Sequence, residues 1–350
     1  MQQATKVKPR TPNGLRYPYA DPPLPAGLRE VAPGVHWLRM PLPFALEHIN
    51  LWLLADGDGW TIVDCGFGTD ETRALWQKIF TEQLDGKPVT RVIVTHFHPD
   101  HCGLAAWLAE YWGAPVHMTD PEFAAARAWY EARELHRREA QETLFQLHGL
   151  PVAEAQTAHR KNLFKRGVPE LPAAIVPLTD NQRLHVDGRE WRVIAGYGHS
   201  PEHAALYCAE LGILIAGDMV LPRISTLVSV QAATPDGDPL GSFLDSLTRY
   251  AELPADTLVL PSHGLPFYGL RERVGALKQH HAARLDELVA ACGTPQTGAQ
   301  MMPVVFKRVL DAQRTMFAMG ETLAHINYLY QRGRLAHTRG NDGIHRYARA

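Results

Sequence analysis

The sequence predicts an α/β layered fold interrupted by a helical insertion and followed by a small C-terminal unit. Three observations predict it. Short β-branched runs alternate with amphipathic stretches through roughly the first third of the chain. A second set of strand-type runs begins near residue 174, and a long helix-type segment separates the two sets. With 350 residues there is room for two domains, or for one large domain with an appendage.

Residues 1–30 contain Pro9, Pro12, Pro18, Pro22, Pro23 and Pro25 and few apolar anchors beyond Tyr17 and Tyr19. They read as an extended arm on the surface or on a neighbouring subunit. The body spans residues 31–290 and opens with a strand near 34–38. Two apolar runs, 49–54 and 60–64, flank the turn at Asp56, Gly57, Asp58 and Gly59, which is a hairpin signal. Residues 70–80 form an amphipathic helix through Leu75, Trp76, Ile79 and Phe80. A strand over 87–95, a helix over 104–112 and a strand over 114–118 continue the alternation. Residues 121–166 then break the rhythm. A helix runs from 123 to about 147, a second covers 152–164, and the stretch is too long for a connection, so it reads as an insertion over the site. Trp129, Tyr130, Phe145 and Phe164 either line an apolar substrate cavity or anchor this insertion.

Strands resume at 174–177, 182–186, 191–195, 204–208 and 213–218. A helix over 243–253 and a strand over 257–261 complete the body. The tail, 297–350, contains helices over 303–310 and 321–330, then a two-stranded wing turning at 340–343.

At 45% hydrophobic and 21% charged the composition is that of an ordinary globular protein. The net charge of −2 argues against chain-wide attraction to nucleic acid or membrane. No apolar stretch reaches the roughly 18 residues of a membrane span, and the first ten residues lack the apolar core of a secretory signal. Cys65, Cys102, Cys208 and Cys292 form no Cys-x-x-Cys pair and fit a reducing compartment, so a cytoplasmic chain is expected. The outstanding feature is 18 histidines.

Four ligand-type side chains crowd into His96-x-His98-x-Asp100-His101, directly after the apolar run 89–94. Pro99 is expected to prevent both strand continuation and direct entry into a helix, leaving the motif on a loop. Imidazoles two residues apart can face one cation while Asp100 and His101 turn toward a second. Desolvating such a cluster without a cation between its members would be too expensive. His199, Asp218 and His263 each follow another apolar β-type run, so four loops meet on one rim. His96, His98 and His199 then make one three-nitrogen site, and Asp100, His101 and His263 make the other. Asp218 has an oxygen for each. Nitrogen and carboxylate ligands suit zinc, with iron or manganese possible. Two cations a few ångströms apart would lower the pKa of a water bridging them and polarise an acyl or phosphoryl oxygen. Asp100 can also hold or accept the nucleophile's proton, which describes hydrolysis of an ester-like bond.

With Asp64 in Val63-Asp64-Cys65-Gly66, these residues resemble the five signature motifs of the metallo-β-lactamase superfamily across residues 31–290. The resemblance implies a four-layer αββα sandwich and a binuclear centre with seven ligands. It makes Asp64 the aspartate that supports the metal loop. His203 matches the second histidine of the family's His-Ser-Pro-Gly-His stretch and would be structural, while Glu202 replaces the glycine. Cys102 is read as packing. True β-lactamases of this fold usually carry cysteine or serine where Asp218 stands. An aspartate there resembles the glyoxalase II, lactonase, nuclease and flavoprotein branches. Residues 219–226 contain no tyrosine, which counts against quorum lactones. The extra motif block of the capped nucleases and a flavin domain are not found.

The leading expectation is a hydrolase of glutathione or CoA thioesters acting on a small-molecule acyl substrate. Arg223, Arg271, Arg273 and Lys278 are the candidates to grip the anionic carrier. Alternatives are a ribonuclease or phosphodiesterase of the same fold, or a lactone or β-lactam hydrolase. The tail resembles the winged-helix tail of the β-lactamase-like protein 2 group, some of which cleave RNA. Arg332, Arg334, Arg339, Arg346 and Arg349 against Asp342 keep nucleic-acid binding open. Otherwise the tail packs over the site or makes a homodimer. No membrane partner is expected.

Overall fold

Strands whose side chains alternate between two apolar environments form two sheets. The computed structural model describes residues 14–131, 134–151 and 163–350. The first sheet contains β1 (Arg29–Ala32), β2 (Val35–Pro41), β3 (His48–Asp56), β4 (Gly59–Val63), β5 (Val89–Ile93), β6 (Val116–Thr119) and β7 (Val176–Leu178), in that spatial order. Its first four strands are antiparallel and the rest run parallel from β4 onward. The second sheet contains β8 (Arg183–Val186), β9 (Arg189–Gly196), β10 (His203–Cys208), β11 (Ile213–Gly217) and β12 (Leu258–Pro261), ordered β12-β11-β10-β9-β8. Asp187 and Gly188 both take positive φ in the two-residue loop joining β8 to β9, as a tight hairpin requires.

The period-2 pattern assigns each face. Trp37, Trp52, Val63 and Ile93 of the first sheet meet Trp191, Val193, Leu206, Ile213, Ile215 and Leu260 of the second. The opposite face of the first sheet, including Leu51, Leu53 and Ile62, packs beneath α1 (Asp70–Glu82) and α3 (Ala105–Trp112). Between those helices, α2 (Pro99–Cys102) is a single turn. The outer face of the second sheet, including Ile194, Leu214 and Val259, lies under Phe243 and Leu247 of α7 (Pro239–Ala251) and Val274 and Leu277 of α8 (Leu270–Ala291). The helices of the insertion are α4 (Asp120–Glu131), α5 (Glu134–Leu147) and α6 (Leu163–Gly167). Those that follow the second sheet's strands are α7 (Pro239–Ala251), α8 (Leu270–Ala291), α9 (Gly298–Val305) and α10 (Ala312–Gln331). The layers therefore run helix, sheet, sheet, helix, as the αββα expectation required.

Several sequence expectations need correction. Pro99 does open a helix: it occupies the first position of α2, where its missing N–H has no intrahelical partner to lose. Strand pairing begins at Arg29, inside the stretch read as an arm, and Arg16 pairs with Tyr268 of the same chain. Residues 1–13 and 152–162, which carry the rest of that arm and most of the helix expected over 152–164, lie outside the described residues. In the tail, α9 starts at Gly298 because Thr297 and Gln300 form a capping box, and it ends before 310. Phe145 and Phe164 are buried in the apolar core and the Tyr130 hydroxyl donates to Pro169 O, so these aromatics anchor the insertion. No described helix is long and apolar enough to cross a membrane.

Two helices and a hairpin, β13 (Leu335–Arg339) with β14 (His345–Arg349), make up the tail. Met301, Met319, Leu323, Ile326 and Tyr347 share one core with α7 and α8, so the tail is packed onto the body. Arg332 pairs with Asp238 at 2.7 Å and Arg334 with Asp286 at 2.8 Å.

One polar pair is buried in this interface: His281 Nδ1 and His325 Nε2 lie 3.2 Å apart. Burial depresses both rings, His281 to about 3 and His325 to about 4. Unfolded histidine titrates near 6.5, so below that pH the unfolded chain binds more protons and stability falls as pH drops toward 4. A His281→Leu/His325→Leu variant is expected to flatten the slope of unfolding free energy against pH between 7 and 5. Each ring contributes up to about 1.4 kcal/mol per pH unit to that slope, reached once it is fully protonated in the unfolded chain and still neutral in the native one. Urea melts of the two proteins check this, and parallel slopes would contradict it.

Candidate metal centre

Each ligand-type residue stands just past a strand end, where a rigid element aims it. His96 and His98 follow β5, and Asp100 and His101 lie on α2. His199 follows β9, Asp218 follows β11 and His263 follows β12. Two groups of converging ligand atoms result, His96, His98, His199 and Asp218 in one and Asp100, His101 and His263 in the other.

Asp218 joins them. Its Oδ2 lies 3.5 Å from His199 Nε2, while its Oδ1 lies 3.6 Å from His101 Nε2 and 3.5 Å from His263 Nε2. Asp100 Oδ2 is 3.5 Å from His263 Nε2 and 3.8 Å from His101 Nε2. In the first group, His96 Nε2 sits 2.9 Å from His98 Nδ1 and 3.2 Å from His199 Nε2.

The remaining ring nitrogens are spoken for, which fixes the tautomers. His199 Nδ1 lies 2.7 Å from Leu227 O, and His263 Nδ1 lies 2.8 Å from His48 O. His101 Nδ1 lies 2.8 Å from Asp64 Oδ2. In all three a ring N–H donates outward, and in His199 and His263 the Nε2 lone pair points into the site. His96 Nδ1 is 3.1 Å from Thr95 Oγ1.

Asp64 is buried and holds a left-handed φ of 63°, a conformation that a surrounding structure must enforce for most residues. Its carboxylate accepts from Thr95 N at 2.8 Å and Thr95 Oγ1 at 2.9 Å besides facing His101. His203 stands behind the rim, where its Nε2 accepts from Asp218 N at 3.3 Å. A Cβ on Gly217 would come within 2.1 Å of that nitrogen, so only glycine fits there.

These atoms pass the test for a divalent cation. His101 Nε2, His263 Nε2 and Asp218 Oδ1 are buried without a hydrogen-bond partner. Buried polar atoms are seldom left so, and here all three face one another. Burial, reinforced by neighbouring rings, holds His96 and His98 well below the ordinary histidine range, so both offer neutral lone pairs. Burial also opposes a charged His101, but the carboxylates of Asp64, Asp100 and Asp218 outweigh it and hold that ring well above the ordinary range. A cation held by the second group would take the place of this proton.

The cations proposed for substrate binding separate. The Arg223 side chain is exposed and lines a cavity with His263, and among the described residues it makes no ion pair. Arg271 instead donates to Ala251 O and Leu253 O, and Lys278 Nζ donates to Thr248 Oγ1, so both belong to the α7–α8 surface. Arg273 is buried and donates to Leu221 O and Ile224 O, holding the loop that carries Arg223. Glu202 turns its carboxylate to the Tyr197 hydroxyl at 3.0 Å and away from the ligands.

Sequence reasoning missed three supports. Asn50 accepts from Trp37 Nε1 and donates to Pro261 O and Gly264 O, tying the first sheet to the His263 loop. His48 accepts from Gly264 N, and burial beside Arg39 and His263 lowers it to about 4. Glu122, on α4, accepts backbone N–H bonds from two separate loops. Its one visible signal was a carboxylate on an otherwise apolar helix face, too common a pattern to single out.

A sandwich rim with two imidazole groups joined by one carboxylate is a site suited to hydrolysis assisted by divalent metal. The chain belongs to the metallo-beta-lactamase superfamily: residues 45–263 match that family, and residues 285–350 match the metallo-beta-lactamase-like C-terminal domain. It is similar to a beta-lactamase domain protein from Burkholderia ambifaria, with 46% identity and a TM-score of 0.89 over 96% of this chain and 98% of that one. A probable metallo-hydrolase of Bacillus subtilis is 25% identical over 83% of this chain and 91% of the relative. A hydroxyacylglutathione hydrolase of Pseudomonas savastanoi is 32% identical, over 39% of this chain and 52% of its own length. The chain is thus a metallo-hydrolase of this superfamily, with a His/Asp cluster able to hold metal.

Proposed function

We propose that the chain hydrolyses acyl thioesters of an anionic carrier, glutathione or CoA, with two zinc ions held by His96, His98, His199, Asp218, Asp100, His101 and His263. Iron or manganese could serve in the same ligand set. The observation that carries the substrate reading is a cavity of about 280 Å³ lined by His263, Leu46, Pro222, Ile224, Leu265 and Arg223. An apolar wall suits an acyl chain, and the Arg223 guanidinium suits a carboxylate or phosphate. The partial likeness to a hydroxyacylglutathione hydrolase supports the same class.

Held in the two groups, divalent ions would supply an activated water and polarise the acyl carbonyl. The protein's own residues do the rest. The outward N–H bonds of His199 and His263 keep their Nε2 atoms aimed into the site. The Asp100 carboxylate, near the start of α2, is placed to take the nucleophile's proton and to return it to the leaving thiolate. Arg223, at the cavity mouth, orients the carrier.

Purified protein is to be assayed against lactoylglutathione and a panel of acyl-CoAs. Turnover above an Asp100→Ala control is expected on at least one, and none on any would remove the thioester reading. Arg223→Ala is expected to raise KM for the anionic substrate roughly two- to fivefold at unchanged kcat, as an exposed ion pair contributes. An unchanged KM would take Arg223 out of the binding site. The tail's arginines do not favour RNA, since Arg332, Arg334 and Arg346 are paired with Asp238, Asp286 and Asp342. Its shared core with α7 and α8 supports a packing role.

A further inference from the structure

Glu122 lies on the insertion helix α4, is fully buried, and is not among the ligand residues. Its Oε2 accepts from Phe97 N at 2.9 Å, and Phe97 stands between His96 and His98. Its Oε1 accepts from Glu202 N at 2.7 Å, on the loop that carries His199. One carboxylate therefore ties together the two loops that carry the first ligand group. Just ahead of it, Thr119 Oγ1 donates to Glu202 O at 2.9 Å, which reinforces the same attachment. The insertion also grips Phe97 by its ring, whose centroid is 5.7 Å from that of Trp129 on α4 and 6.2 Å from that of Phe164 on α6.

The second group is held by other means. Asp64 fixes His101, and the His48 carbonyl fixes His263; neither belongs to the insertion. We propose that Glu122 is a positioning residue by which the helical insertion sets the geometry, and so the metal affinity, of the His96/His98/His199 group alone. This rests on the two-metal reading above.

Two backbone donors converge on Glu122, and only a carboxylate accepts from both. A glutamine of the same size offers one acceptor and turns an NH2 donor on the other N–H. Glu122→Gln therefore breaks one attachment while preserving the packed volume. The test is competitive chelator titration of zinc on the full chain, wild type against E122Q, with circular dichroism to confirm folding. Wild type is expected to hold two equivalents. In E122Q one of them should weaken by about tenfold or more, the range for loss of a supporting contact, while the other stays within about twofold.

Two further pairs identify which one moves. In a His263→Ala background, which keeps the first group whole, E122Q should weaken the remaining metal. In a His98→Ala background, which keeps the second, it should leave the remaining metal unchanged. If both affinities of E122Q stay at wild-type values, or both fall together, or the metal retained in His98→Ala is the one that weakens, the inference is overturned. A wild-type stoichiometry below two would instead remove the two-metal reading, and this inference with it.

Discussion

Asp218→Ala is expected to abolish turnover for practical purposes, a loss on the order of 10³-fold or more, exceeding the 10–100-fold typical of a group that merely supports a ligand. The reason is geometric. Asp218 is the one side chain shared by both groups, with Oδ2 at 3.5 Å from His199 Nε2 and Oδ1 at 3.5 Å from His263 Nε2. Removing it takes an oxygen from each group and leaves five imidazoles with only the Asp100 carboxylate to balance bound cations. The fold is expected to survive, because the backbone there is held independently: Asp218 N donates to His203 Nε2, and Ser262 N donates to Gly217 O. Asp218→Asn keeps one acceptor oxygen but loses the charge, so it should fall between wild type and alanine. Measured kcat/KM beside metal content checks both variants. Alanine activity within tenfold of wild type would show that the carboxylate does not join the two groups.

Asp64→Ala is expected to have the second-largest effect, and it should strike stability as well as metal affinity. Three contacts end on the Asp64 carboxylate, from Thr95 N, Thr95 Oγ1 and His101 Nδ1. Deleting it strands a buried backbone N–H and removes the partner of a buried ring, a loss of about 3–5 kcal/mol. It also leaves an alanine at a φ of 63°, without the polar side chain by which aspartate and asparagine tolerate the left-handed region, a cost of up to roughly 1–2 kcal/mol. Asp64→Asn tolerates that backbone and keeps one acceptor, so it separates the two contributions. Asn should recover most of the stability but little of the metal affinity, because it cannot polarise His101 as a carboxylate does. Urea midpoints with zinc titrations check this. Equal losses for Ala and Asn in both measurements would assign the whole effect to charge.

The candidate ligand cluster was legible because the chemistry limits which residues can serve and the fold limits where they stand. Histidine and aspartate directly after a short apolar run occupy a strand's C-terminal end, and seven such residues in four runs have few other uses. The sandwich was legible for a related reason, since alternation along residues 35–63 assigns Trp37 and Trp52 to one face and Leu51 and Leu53 to the other. What stayed hidden acts through the backbone. Glu122 binds N–H groups 25 and 80 residues away, and a backbone N–H has no residue identity to recognise. The contacts of Arg271 and Arg273 were hidden for a similar reason, since both end on carbonyls that any residue supplies. The long helix α8 was obscured because its apolar stripe of Leu270, Val274, Leu277, Leu285 and Leu288 is interrupted by buried Arg273 and His281. Pro99 shows the remaining limit, since the residue that ends a strand is equally suited to start a helix.

Two groups of ligands joined by Asp218 amount to a claim about stoichiometry. Elemental analysis of the purified chain after saturation with zinc and removal of free metal measures it directly. Two equivalents per chain are expected, falling in Asp218→Ala. One equivalent or none in the wild-type chain would contradict a two-metal hydrolase, whatever substrate the chain proved to turn over.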